Sequence, residues 1–528
     1  MAAVSARAVR LAVALTAAAG LLVPASGHAD PAGPAVPAVA IPQDPDASTV
    51  MPFLGTPRPA RPVAGARFAP RHPFMAANDR SNLHDDAYQS DAGLTPGPLG
   101  RSPQVTSTLY TQECASVTFD AHGRILTVCV GLASVDLRLL DPHSLDLLAD
   151  FPLGPRPASS FSHPFTAFGG GGYFYLDNHD RVVAPTADGA IDVIAETDTP
   201  AGPALTLQRQ YDVSSYVGDS VILSVLPDWS GRLWFVTDAG TVGVVDPKTG
   251  TARAKDLGEA IGNSVAVDET RGVFVVSDRA LYRFDADGSG APRVTWRKPY
   301  DAGTRQKPGQ SQTGSGTTPT IVRRHGRHYV AITDNADPRM HVLVYRADRG
   351  SRGKAPMCSV PVFAKGKGDT DNSLIAIGNA IVVENNYGYT GPQERPPSSA
   401  SRGTPTTEPG VTRIDVDYAR GRCHVAWHND HVRVPTSVSK ASAATGLIYV
   451  YEHPAADEVR YRPGQQPDGA EDPWYLTALD LRTGKRAWSA LTGVGLGYNN
   501  NYAPITFGPD GTAYVGVLGG LVAVRDTG

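Results

Sequence analysis

Long apolar runs are scarce in this chain. After "LAVALTAAAGLLV" at 11–23, no stretch stays apolar long enough to cross a bilayer, which takes about 20 such residues. Charged residues make up only 19% and sustained helical periodicity is missing, which excludes a coiled coil or a helical bundle. There are four cysteines, none adjacent and none spaced Cys-x-x-Cys, so the usual thiolate metal spacing is not there. The formal charge of −4 is no electrostatic match for nucleic acid or anionic lipid. "TGSGTTPT" at 313–320 is Gly-rich but lacks the Lys of a phosphate loop and precedes a strand pattern. A Gly-x-Ser-x-Gly elbow at a strand–helix turn is missing as well, as is a Ser-x-Asp-x-Gly-x-x-x-Trp box.

What is present begins with an address. Arg7 and Arg10 precede the apolar run, and "GHA" ends at Ala29, so 1–29 reads as a secretory signal peptide and the protein as secreted. Its removal leaves the chain more acidic. In an oxidising compartment an even number of cysteines pairs by default. Cys114 and Cys129 flank the turn "DAHG" at 120–123 and count outward to facing positions. By elimination Cys358 pairs with Cys423; free buried thiols are the alternative. Residues 30–69 are rich in Pro and Ala, which predicts a disordered linker. "HPFMAANDRSNLHDDAYQSD" at 72–91 is polar and aromatic, so 70–103 is expected to be an ordered extension packed on the strand-rich remainder of the chain.

That remainder, 104–528, repeats one pattern: short alternating strands separated by turns with Asp and Gly, as in "GRLWFVTD", "RGVFVVSD", "GRHYVAITD" and "TGLIYVYEH". Asp oxygens satisfy turn amides and Gly accepts positive φ. Copies recur at propeller-blade spacing. The count predicts an all-β, single β-propeller of about eight four-stranded blades. "QVTSTLY" at 104–110 is expected to complete the C-terminal blade, which has three strands of its own, and so to leave no open edge.

"ALDLRTGKRAW" at 478–488 fits A-x-D-x-x-T-G-x-x-x-W, and "GVVDPKTG" at 243–250 fits part of it. This resembles the quinoprotein alcohol dehydrogenase-like propellers. The resemblance implies a propeller in which Trp488 docks one blade on the next. The adjacent-cysteine pair common in the quinone enzymes is missing, so pyrroloquinoline quinone is not an expected cofactor.

Loop lengths carry more functional information. The long connections at 301–318, 389–410 and 453–473 all fall on the face where strand 2 meets strand 3 and where one blade leads to the next. Loops beyond about 12–15 residues are usually functional or disordered. Second strands end toward that face in Asp238, Asp278, Asp334, Glu384 and Glu452, accompanied by "TDNAD", "VENNYGY" and "GYNNNYAP". The candidate ligand-binding residues are Asn385, Asn386, Asp334, Asn335, Asn500, Asn501, Tyr502 and Glu452. Glu384, His84 and Tyr387 are the candidate acid–base groups. Asp334 and Glu384 are the candidate calcium ligands, since calcium takes carboxylate and amide oxygens. The competing explanation is that Asp and Asn end strands by satisfying turn backbone. Three functions fit: a binder of a small polar or aromatic ligand at the channel mouth, with or without lyase or hydrolase chemistry; a cell-envelope protein-binding scaffold; and, least favoured, a quinone-dependent oxidoreductase. A monomer is expected.

Overall fold

The structure, a computed structural model, describes residues 35–156, 171–392, 406–465 and 472–528. Its strands form eight sheets: seven are built on four consecutive antiparallel strands, and the eighth combines the last three strands with one from near residue 104. Blades 1 to 7 span 113–155, 175–212, 222–256, 266–299, 320–361, 375–429 and 440–494, and blade 8 begins at 505. From blade 3 to blade 7 the first strands of successive blades touch one another and make the inner ring. The architecture is an eight-bladed β-propeller with almost no helix.

Each blade is sandwiched between two neighbours, so its middle strands are buried on both faces. Leu233–Thr237 and Ala380–Glu384 are buried at every position, and Trp234 and Phe235 are fully covered between blades. Burying such a side chain stabilises by about 1.5–3 kcal/mol. The outer strand Arg422–Asn429 is mostly exposed. In the 478–488 repeat, Asp480 Oδ1 accepts the amides of Arg482 and Thr483 at 3.0 and 2.9 Å. Gly484 adopts φ 69°, and a Cβ there would stand 2.4 Å from the Trp427 ring. Trp427 donates its indole N–H to Leu481 O at 2.9 Å. The repeat is therefore a socket for the preceding blade's tryptophan.

The outermost strand of blade 8 comes from the other end of the chain: Gln104–Leu109 pairs antiparallel with Gly520–Arg525. Both disulfides form as expected. Cys114–Cys129 ties the two inner strands of blade 1, and Cys358–Cys423 ties the outer edges of blades 5 and 6.

The N-terminal segment differs from the composition-based expectation. The expected signal peptide at 1–29 lies outside the described residues, but 35–69 is not a loose linker. Phe53–Gly55 adds a fifth strand to the outer edge of blade 7, Val36 bridges Leu147 of blade 1, and Ile41 and Val50 are buried. A Pro/Ala-rich segment with little core of its own is ordered here by sheet edges that offer unpaired backbone groups.

Residues 75–93 then enter the centre of the ring. Ala87, Tyr88, Ser90 and Asp91 accept hydrogen bonds from Val267, Ile321, Ala376 and Ala441, on the inner strands of blades 4, 5, 6 and 7. On blade 2, Ala76 donates to Leu176 O and Leu176 donates to Ser81 O. Ala92–Gly93 pairs in parallel with Lys440–Ser442. This segment is a plug that fills the channel from the short-turn face.

Among the described residues no helix is long and apolar enough to cross a membrane.

Candidate functional site

The three long connections lead from blade 4 to blade 5, from the second to the third strand of blade 6, and likewise in blade 7. In antiparallel blades these links leave from the same end, so they gather at one mouth. Parts of two of them, 393–405 and 466–471, lie outside the described residues.

The plug forms the floor of this mouth. His84 Nδ1 faces Asp91 at 2.9 Å and its Nε2 has no partner. Its ring lies 5.9 Å from that of Tyr173, in a stacked orientation. Lys440, fully buried, pairs with Asp91 at 2.9 Å and Asp85 at 3.0 Å. Burial alone pushes Asp91 up, but His84 and Lys440 together hold it below the ordinary carboxylate range.

Above the plug the mouth is rich in acceptors. Both carboxylate oxygens of Asp369, and one oxygen each of Asp371, Glu113, Glu384, Asn372 and Asn500, have no hydrogen-bond partner. Burial pushes Glu384 and Glu113 up to about 8 and Asp371 to about 7. Asp369 is raised well above its usual range by burial and by Asp371, against Lys307 and Arg305. Gly309, at φ 117°, lets residues 301–319 pass tightly over these groups, since a Cβ there would lie 2.6 Å from Asp369 Oδ1. Tyr389 and Tyr502 stand at the rim edge to face, 5.7 Å apart. Both are only partly covered, as are Tyr173 and Asp371.

The predicted residues divide into two groups. Glu384, Asn385, Asn386, Asn501 and Tyr502 meet around this mouth. Glu384 Oε1 accepts from Ser439 N at 3.3 Å. Asn385 accepts the amides of Asp369 and Tyr387, and Asn386 accepts from Thr370 Oγ1 and Asp371 N while donating to Val434 O. Asn501 donates to Glu113 and accepts from Tyr389 Oη. The Tyr502 hydroxyl donates to Gly309 O at 3.4 Å. These amides position the loops that carry Asp369 and Asp371. Asn500 donates to Ala503 O and Gly516 O, also a loop-holding role, and Tyr387 is partly exposed beside them.

The others are held elsewhere. Asp334 accepts from His341 N at 2.6 Å and faces His341 Nδ1 at 2.9 Å. Asn335 donates to Ala302 O and Arg305 O. Glu452 pairs with Arg486 and accepts from Thr477. Asp334 and Glu452 are each taken up by a partner on their own blade, His341 and Arg486. Asp369, Asp371 and Glu113 escaped the sequence reading. The first two sit in "GKGDTDNS" at 366–373, where two acids flanking a Thr between blades were the available signal. Among the described residues no group of three or more His, Cys, Asp or Glu side chains is placed to hold a metal ion.

No protein-family model matches the chain. An uncharacterized protein of Archaeoglobus fulgidus is 26% identical over 341 residues, covering 60% of this chain. The chain spans 63% of that relative's length. Among solved structures, Sqt1 from Chaetomium thermophilum aligns with 87% of this chain and 100% of its own, at 12% identity and TM-score 0.44. The WD40 domain of Toxoplasma gondii coronin aligns over 79% and 94%, at 10% identity and TM-score 0.35.

Proposed function

We propose that this propeller binds a small, amine-bearing organic ligand at the plugged mouth. The observation that carries the reading is Asp369, buried with neither carboxylate oxygen paired, in a mouth whose other unpaired oxygens are also acceptors. A site rich in acceptors is satisfied by a ligand that brings donors. A rim of Tyr389 and Tyr502 adds aromatic faces, which attract ammonium groups. A flat apolar docking face is the alternative, and the exposed large apolar side chains do not favour it. They are dispersed, as at Leu132, Leu207, Tyr216 and Val425. The resemblance to quinoprotein-like propellers contributes only an expectation about Trp488, which is fully buried in an apolar cluster that also holds Phe507 and Val515 of blade 8.

The test is a melting-temperature screen of polyamines, amino acids, neutral sugars and calcium, repeated on Asp369→Asn and Asp371→Asn. An amine is expected to raise the wild-type melting temperature and to lose that effect in both variants, with the circular dichroism unchanged. Because Asp371, raised by burial to about 7, must ionise to pair with an ammonium group, the affinity is expected to rise from about pH 6 to about pH 8. A response to calcium alone, or to no compound, would overturn the assignment.

A further inference from the structure

On the opposite, short-turn face, a cavity of about 600 Å³ is lined by Arg67, Phe68, Arg323, Arg324, His325 and Gly326. It forms where the N-terminal segment passes the first turn of blade 5. Its charges are poorly compensated. Arg324 donates only to neutral acceptors: Asn379 Oδ1 at 3.1 Å, Arg323 O at 2.8 Å and Gly378 O. Burial lowers its pKa, and Arg67 adds to this against an opposing contribution from Tyr418. Arg67 itself, exposed at the cavity edge, has no ion-pair partner among the described residues. Arg323 reaches Glu269 at 3.2 Å, but that carboxylate also takes His328 at 2.9 Å and the Tyr88 hydroxyl.

Among the described residues, three guanidinium groups around one cavity have a single, shared carboxylate, which calls for an external anion. We propose that this cavity is a second binding site, distinct from the mouth, for a phosphate-bearing organic ligand. Guanidinium forks match phosphate oxygens in pairs. The volume exceeds what inorganic phosphate fills, and Phe68 offers an apolar wall for the organic part. A free phosphomonoester and a phosphodiester from a longer polymer share this chemistry.

Calorimetric titration at low ionic strength separates them, with glycerol 3-phosphate as the monoester, glycerophosphoglycerol as the diester and citrate as a carboxylate control. Low salt is needed because exposed charges are screened. Arg67→Glu is the main variant, since Arg67 holds no structural bond. At least one phosphate compound is expected to bind wild type and to weaken about tenfold or more in Arg67→Glu, less in Arg67→Lys, and not at all in Asp371→Asn. Equal binding by wild type and Arg67→Glu, citrate binding as tightly as the phosphates, or no binding of either phosphate would overturn the proposal.

Discussion

Glu384 has one oxygen on the Ser439 amide and the other unpaired, with no exposed surface. Burial raises it from 4.5 to about 8. The folded chain therefore keeps a proton that the unfolded chain gives up earlier, and this carboxyl favours folding less as pH climbs through that window. Between about pH 5 and about pH 8 the wild type is expected to lose more melting temperature than Glu384→Gln. Parallel curves would show that Glu384 does not titrate differently on folding. The residues around it also show what could be foreseen. "VENNYGY" and "GYNNNYAP" mark the mouth, because runs of amides must bond something. Their bonds, however, go mostly to loop backbone, as the turn-capping explanation requires of Asn385, Asn386 and Asn500. The buried acids Asp369 and Glu113 could not be separated from ordinary turn acids. Burial depends on neighbours far away in the chain: Glu113 meets Asn501, 388 positions on.

Blades were legible because a blade is specified locally, by alternation and by Asp–Gly turns such as 246–250 and 480–484. The strap at 35–69 was not, since its order comes from partners rather than from its own propensity. Its contribution is measurable. A chain starting at residue 64 keeps the plug but bares the edge of blade 7 that Phe53–Gly55 covers. It is expected to melt lower and to self-associate in light scattering, as uncovered strand edges do. A monomer with unchanged melting temperature would show that the strap adds nothing to the ring.

The plug couples blades that are otherwise neighbours only in pairs. Val267, Ile321, Ala376 and Ala441 donate to it from four blades, so their amides are expected to exchange hydrogen together and only through global opening. Exchange of these four at the rate of surface-loop amides would mean that the plug leaves without the ring unfolding. The same arrangement sets an order of assembly. The central segment is synthesised before any blade, and its ion pair from Asp91 to Lys440 spans 349 residues. Such distant contacts are slow to form. This early-made stretch must wait, polar and unpartnered, as a mandrel around which the later sheets are wound, and a newborn chain cannot finish its centre until the seventh sheet arrives.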